Sequence, residues 1–173
     1  AAAFKAGFES ARHEWICLLD SDDLYKPGKL KALEQFISAR QQLPGFICHD
    51  LDILGPDGKM MGSWFQRQGV AGNAMNVTDA VAGYRFANPP GQVYHRSVLA
   101  QIFSCLDTEK WRRGADNPLA WGGLFVAGQV DYLHQLLGAY RIHENNFFMG
   151  QSGQDLAPKI NWLERWPPLL EFL

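Results

Sequence analysis

The chain has only three cysteines in 173 residues, Cys17, Cys48 and Cys105, and they are widely spaced. An odd, scattered set supplies neither a disulfide framework nor a paired thiolate metal site, and it fits a reducing compartment. No apolar run approaches the roughly 18–20 residues that span a bilayer. Ala1-Ala2-Ala3 leads into Phe4-Lys5 rather than into the apolar core of a signal peptide. Charge of one sign is missing too. Sixteen basic residues against eighteen acidic ones leave a formal net charge of -2. A dedicated nucleic-acid binder would show a basic stripe, so no nucleic-acid partner is expected. Internal repeats and low-complexity tracts are also absent.

What is present is an ordinary globular composition, 47% hydrophobic and 20% charged, long enough for one domain with a real core. One stretch stands out. Trp15 to Leu19 is an unbroken apolar run that stops at Asp20-Ser21-Asp22-Asp23. The run fits a strand buried on both faces, as in a parallel sheet. Three carboxylates in four residues repel one another, and a hard divalent cation relieves that repulsion. Ligands of open α/β sheets bind beyond the carboxyl ends of strands. The stretch therefore reads as a metal–diphosphate site at a strand end. A plain acidic turn with one capping Asp is the simpler reading. An EF-hand loop is excluded, because Tyr25 and Lys31 stand where Gly and Glu are required.

Around this stretch, Ala1 to Arg12 has Phe4, Phe8 and Ala11 at helical spacing. Pro27 suits a first helical position, and Leu30, Leu33, Phe36 and Ile37 continue that helix to Leu43-Pro44-Gly45. Phe46 to Leu54 predicts a strand, the turn 55–58 follows, and Lys59 to Phe65 returns as a hairpin arm. Asp50 and Asp52 share a strand face. They read as a solvated face near the cleft, with metal ligation as the sharper alternative. A mobile loop is expected over 69–74, then a helix from a cap at Asn76 to about Phe86. Gln92 to Tyr94 predicts a short strand, Arg96 to Phe103 a helix, Leu119 to Ala127 a helix introduced by Asp116-Asn117-Pro118, and Val130 to Leu137 a strand or strand pair.

The run L-L-D-S-D-D-L-Y-K-P-G-K-L resembles the signature of family 2 glycosyltransferases, which have the GT-A fold. The segment before it follows the family outline loosely through Ala6-Gly7, Ala11 and Glu14-Trp15, and Tyr140-Arg141-Ile142-His143 resembles the Y-R-x-H that closes many of these domains. The likeness runs from about Ala6 to Asn146. It implies an α/β, GT-A-like Rossmann-type mixed sheet flanked by helices, over 1–150, with a helical tail over 151–173. It implies an inverting, metal-assisted transfer of a sugar from a nucleotide-diphosphate sugar to a saccharide or lipid-linked acceptor, as in polysaccharide biosynthesis. Mn²⁺ or Mg²⁺ would be held by a DXD motif with Asp20 and Asp22, joined by His143. Asp20, Asp23 and Arg141 would face the donor. Asp116 falls where the family carries its general base, although Ala115 replaces the usual Glu, and a helix cap is the competing role. Gly91 lies in the region near the acceptor, and Trp121, or else Trp111, offers a ring for a sugar to stack on.

The first residue is not Met, and the site strand begins only fifteen residues in. A truncated domain is therefore expected, lacking the amino-terminal nucleotide-binding half and inactive on its own. The location expected is cytoplasmic, with the apolar tail available for peripheral contact at the inner face of the membrane. Two other functions compete. In a metal-dependent phosphatase of haloacid dehalogenase type, Asp20 would be the nucleophile, but Leu24 departs from that motif. A non-catalytic carbohydrate-binding remnant would bind sugar without regard to Mn²⁺.

Overall fold

The computed structural model describes residues 1–80, 83, 85–112, 114–143 and 146. Among these residues, seven strands form one mixed sheet. Its hydrogen-bonded order is β1 (Trp15–Cys17), β6 (Gln92–His95), β3 (Phe46–Leu54), β7 (Gln129–Arg141), β2 (Leu24–Tyr25), with β4 (Met60–Ser63) on β3 and β5 (Ala74–Asn76) on β7. The central pair β3–β7 is parallel, and every other pair is antiparallel.

Side chains alternate across β3, so its two faces feed two cores. Phe46 stacks on Tyr94 at 4.4 Å and packs beneath α5 (Arg96–Cys105) and α6 (Asp116–Ala127). Ile47, one residue on, joins Val93, Leu133 and Leu137 beneath Leu33 of α2 (Lys29–Ser38). The first helix, α1 (Ala2–Ser10), packs Phe8 against Phe103 at 5.4 Å. The Arg96 guanidinium donates to the carbonyls of Phe8, Ala11 and His13 and so ties the end of α1 to α5.

Several expectations are corrected. Trp15 to Leu19 is not a strand in a parallel sheet. Only Trp15–Cys17 pairs, antiparallel to β6, and β1 ends the sheet order among the described residues. Leu18 still donates to the Gln92 carbonyl, but Leu19 is 43% exposed because the chain has left the sheet to form the acidic loop. The second helix begins at Lys29 after Gly28 at φ 83°, so Pro27 precedes it rather than opening it. The hairpin arm ends at Ser63, whose Oγ caps the short helix α3 (Trp64–Gln68) by accepting from the Gln66 N–H. The expected mobile loop runs into strand β5, whose Met75 is buried. Asn76 does cap a helix, α4 (Val77–Ala80), exchanging hydrogen bonds with Asp79. That helix does not reach Phe86, since residues 85–88 are not helical. The helical tail over 151–173 lies outside the described residues.

Candidate active site

The acidic loop leaves β1 and returns as β2, which pairs with Ala139 and Gly138 of β7. That pairing carries the loop to the far end of β7, where Tyr140-Arg141-Ile142-His143 follows, so two segments more than a hundred residues apart meet. One side-chain atom from each of Asp20, Asp22 and Asp23 lies within 4.8 Å of the others. The His143 Nε2 sits 2.8 Å from an Asp22 carboxylate oxygen, and both side chains are partly exposed. Asp23 is buried, and its Oδ1 accepts the Arg141 backbone N–H at 2.9 Å. The His143 backbone N–H donates to the Asn146 side-chain oxygen.

Asp116 arrives from the other side, in the first turn of α6. The helix cap is Ala115, and its side chain makes no cap hydrogen bond. Burial holds the Asp116 carboxyl up at about 6, against the pull of the amides of Asp116 and Asn117. The Asp20 carboxyl is pushed up to about 6 by burial first, then by the charges of Asp116 and Asp22. Burial pushes Asp23 up to about 7, opposed by the Arg141 amide and reinforced by Asp22 and Asp20. Asp20 and Asp23 are thus each harder to ionise for the presence of neighbouring carboxylates. Such a site is built for positive charge. Asp20 and Asp116 also line a cleft of about 790 Å³ whose walls are α1, residues 15–21 and Pro89.

The remaining sequence candidates fall elsewhere. Trp121 is buried edge-on against Phe86, with centroids 5.3 Å apart. Gly91 is buried as well, and a Cβ there would lie 2.5 Å from the Ala87 Cβ and 2.7 Å from the His49 carbonyl. Its smallness is therefore required by packing, and neither residue lines the cleft. Asp50 and Asp52 stand apart from the cluster and are not a solvated face. Asp50 accepts the N–H groups of Leu51 and Phe65, while Asp52 is buried and paired with Lys26.

Tyr140, from the same motif as Arg141 and His143, also lies in the electrostatic environment of the acidic loop. Its hydroxyl is pushed up to about 12, by burial first and then by the charges of Asp23, Asp22, Asp116 and Asp20. Its ring sits edge-on to Trp64 at 5.4 Å. Its place in that motif is the sequence signal that points to it.

Residues 1–49, which include the whole acidic loop, match the model of glycosyl transferase family 2. An uncharacterized glycosyltransferase of Nostoc sp. (strain PCC 7120) is 30% identical over 149 residues, covering 85% of this chain and 45% of that protein. The structure of S. aureus TarS 1–349 in complex with UDP-GlcNAc superposes with a TM-score of 0.61 at 14% identity, over 96% of this chain and 44% of that one. Its complex with UDP gives 0.57 at 15% identity, over 80% and 39%. The chain spans less than half the length of each of these relatives. The acidic loop is thus similar in sequence to the family 2 glycosyltransferases, and the sheet carries a GT-A-type fold.

Proposed function

We propose that this segment supplies the diphosphate-binding and acceptor-activating side of an inverting transfer from a nucleotide-diphosphate sugar to an acceptor hydroxyl. The observation that carries this reading is the meeting of Asp20, Asp22 and Asp23 within 4.8 Å, with Asp116 electrostatically coupled to Asp20. The acidic oxygens of Asp20 and Asp22, with the imidazole of His143, suit a hard divalent cation, Mn²⁺ or Mg²⁺. Bound there, it would neutralise the charge of the leaving diphosphate. Asp23 holds the loop against β7 from the donor side, and Arg141 beside it offers a cation to phosphate oxygens.

Asp116 is the general base in this scheme. With its carboxyl at about 6, it is largely ionised near neutral pH yet basic enough to take a proton. It accepts the proton of the acceptor hydroxyl as that oxygen bonds to the sugar's anomeric carbon. The bond from that carbon to the diphosphate oxygen breaks on the opposite face, which inverts the configuration. The TarS structures with UDP and UDP-GlcNAc favour a uridine nucleotide as the donor. A saccharide or lipid-linked acceptor, met on the cytoplasmic side of a membrane, completes the proposal. Among the described residues no helix is long and apolar enough to cross a membrane. The family match favours sugar transfer over the phosphatase reading of Asp20.

Titration calorimetry of the full-length protein with UDP and Mn²⁺ tests the assignment. Asp22→Asn is expected to abolish the Mn²⁺-dependent part of UDP binding. Unchanged affinity would overturn the metal assignment.

A further inference from the structure

The Pro27-Gly28-Lys29-Leu30 run belongs to the motif, yet neither the metal nor the base makes use of it. Lys29 opens α2 but points inward and is only 2% exposed. Among the described residues no carboxylate lies within ion-pair reach of it. Its ammonium instead donates to the Pro90 carbonyl at 2.7 Å and lies 3.5 Å from the centroid of the Tyr25 ring. Burial lowers its affinity for a proton to about 8. A methionine of similar length would fill this space without the cost of desolvating a charge. The ammonium must therefore do something that packing does not.

Its two partners indicate what. Tyr25 follows the acidic loop, and its hydroxyl donates to the carbonyl of Leu18, which precedes the loop, at 2.7 Å. That bond crosses the neck of the loop. Pro90 lies two residues before Gln92, whose carbonyl takes the Leu18 N–H. One ammonium thus grips the outgoing side of the loop through the Tyr25 ring, and the turn that anchors its incoming side through Pro90. The backbone bonds at either flank, Leu18 to Gln92 and Lys26 to Leu137, fix the loop's ends to the sheet but not to each other.

We propose that Lys29 is a positioning residue that closes the neck of the acidic loop through Tyr25 and Pro90, and so sets the spacing of Asp20, Asp22 and Asp23. The consequence for catalysis rests on the metal–diphosphate reading of that loop, whereas the structural part does not.

Two variants of the full-length protein test it. Lys29→Met removes the charge, and Tyr25→Phe removes only the hydroxyl that crosses the neck. Both are expected to speed amide hydrogen exchange in a peptide covering 18–26 while leaving 46–54 unchanged. Each should also weaken Mn²⁺-dependent UDP binding, Lys29→Met by about tenfold, the lower end of what loss of a partner behind a metal ligand produces. Because the two contacts share the Tyr25 side chain and close the same neck, the double variant should be little worse than Lys29→Met alone. Unchanged exchange in both variants overturns the proposal. So do losses that simply add, or that follow a fall in global stability. If the unaltered protein shows no Mn²⁺-dependent UDP binding, the functional reading fails, and the exchange experiment alone decides the role of Lys29.

Discussion

Replacing Asp23 with Asn should stabilise the metal-free protein at pH 8 and leave its stability at pH 4 nearly unchanged. In the folded chain this carboxyl is moved from its ordinary 3.8 to about 7, mainly by burial. Between those values the folded state holds a proton that the unfolded state has lost. Stability therefore falls as pH rises from about 4 and reaches its full deficit above about 7. Taken whole, the displacement is worth about 4 kcal/mol. The loop opens on the cleft, and screening by water there reduces the expected figure to about 2 kcal/mol. Asn keeps the oxygen that accepts the Arg141 N–H. Its NH₂ replaces the buried, unpartnered Oδ2. The assay is urea unfolding of both proteins at pH 4 and pH 8 in the presence of a chelator. The curves should nearly coincide at pH 4 and separate at pH 8, with the variant more stable. An equal offset at both pH values, or a less stable variant at pH 8, would refute burial of charge as the cause.

Asp116→Asn should lower turnover by about 10²–10⁴-fold, the usual contribution of a positioned base. Calorimetry should find UDP affinity close to normal, because the base acts on the acceptor; near-normal turnover would leave Asp116 as a helix-start residue only. Gly123→Ala places a Cβ 2.7 Å from the Tyr94 ring and 3.0 Å from the Phe46 ring, in the stack between α6 and β3. Overpacking of about 1–3 kcal/mol outweighs the roughly 1 kcal/mol gained by removing a helical glycine, so the urea midpoint should fall; a midpoint at or above the original would refute the tight packing of that stack.

The parts of this chain that were legible in sequence are those whose signal is local. Strand β3 has the bounds read from the sequence between Leu43-Pro44-Gly45 and the turn 55–58, and α1, α5 and α6 follow from their spacing and start residues. The acidic loop was legible because four consecutive residues carry it. What failed is what depends on partners. The apolar run before the loop looks the same in sequence whether its neighbour is parallel or antiparallel. Only the pairing of β1 with β6, and the departure of the chain at Leu19, decide that. Asp50 and Asp52 resemble Asp20 and Asp22 in spacing, yet Lys26 and two backbone amides occupy the former, while His143 meets the latter. No spacing rule separates the two pairs, because the difference lies in which distant segment arrives. The loop acquires its chemistry from β7, which binds β2 as a strand and delivers Arg141 and His143 just beyond it. The sheet is thus what converts an acidic turn into a site. A lesion in the β2–β7 pairing, which alters no carboxylate, would separate the acidic loop from its histidine.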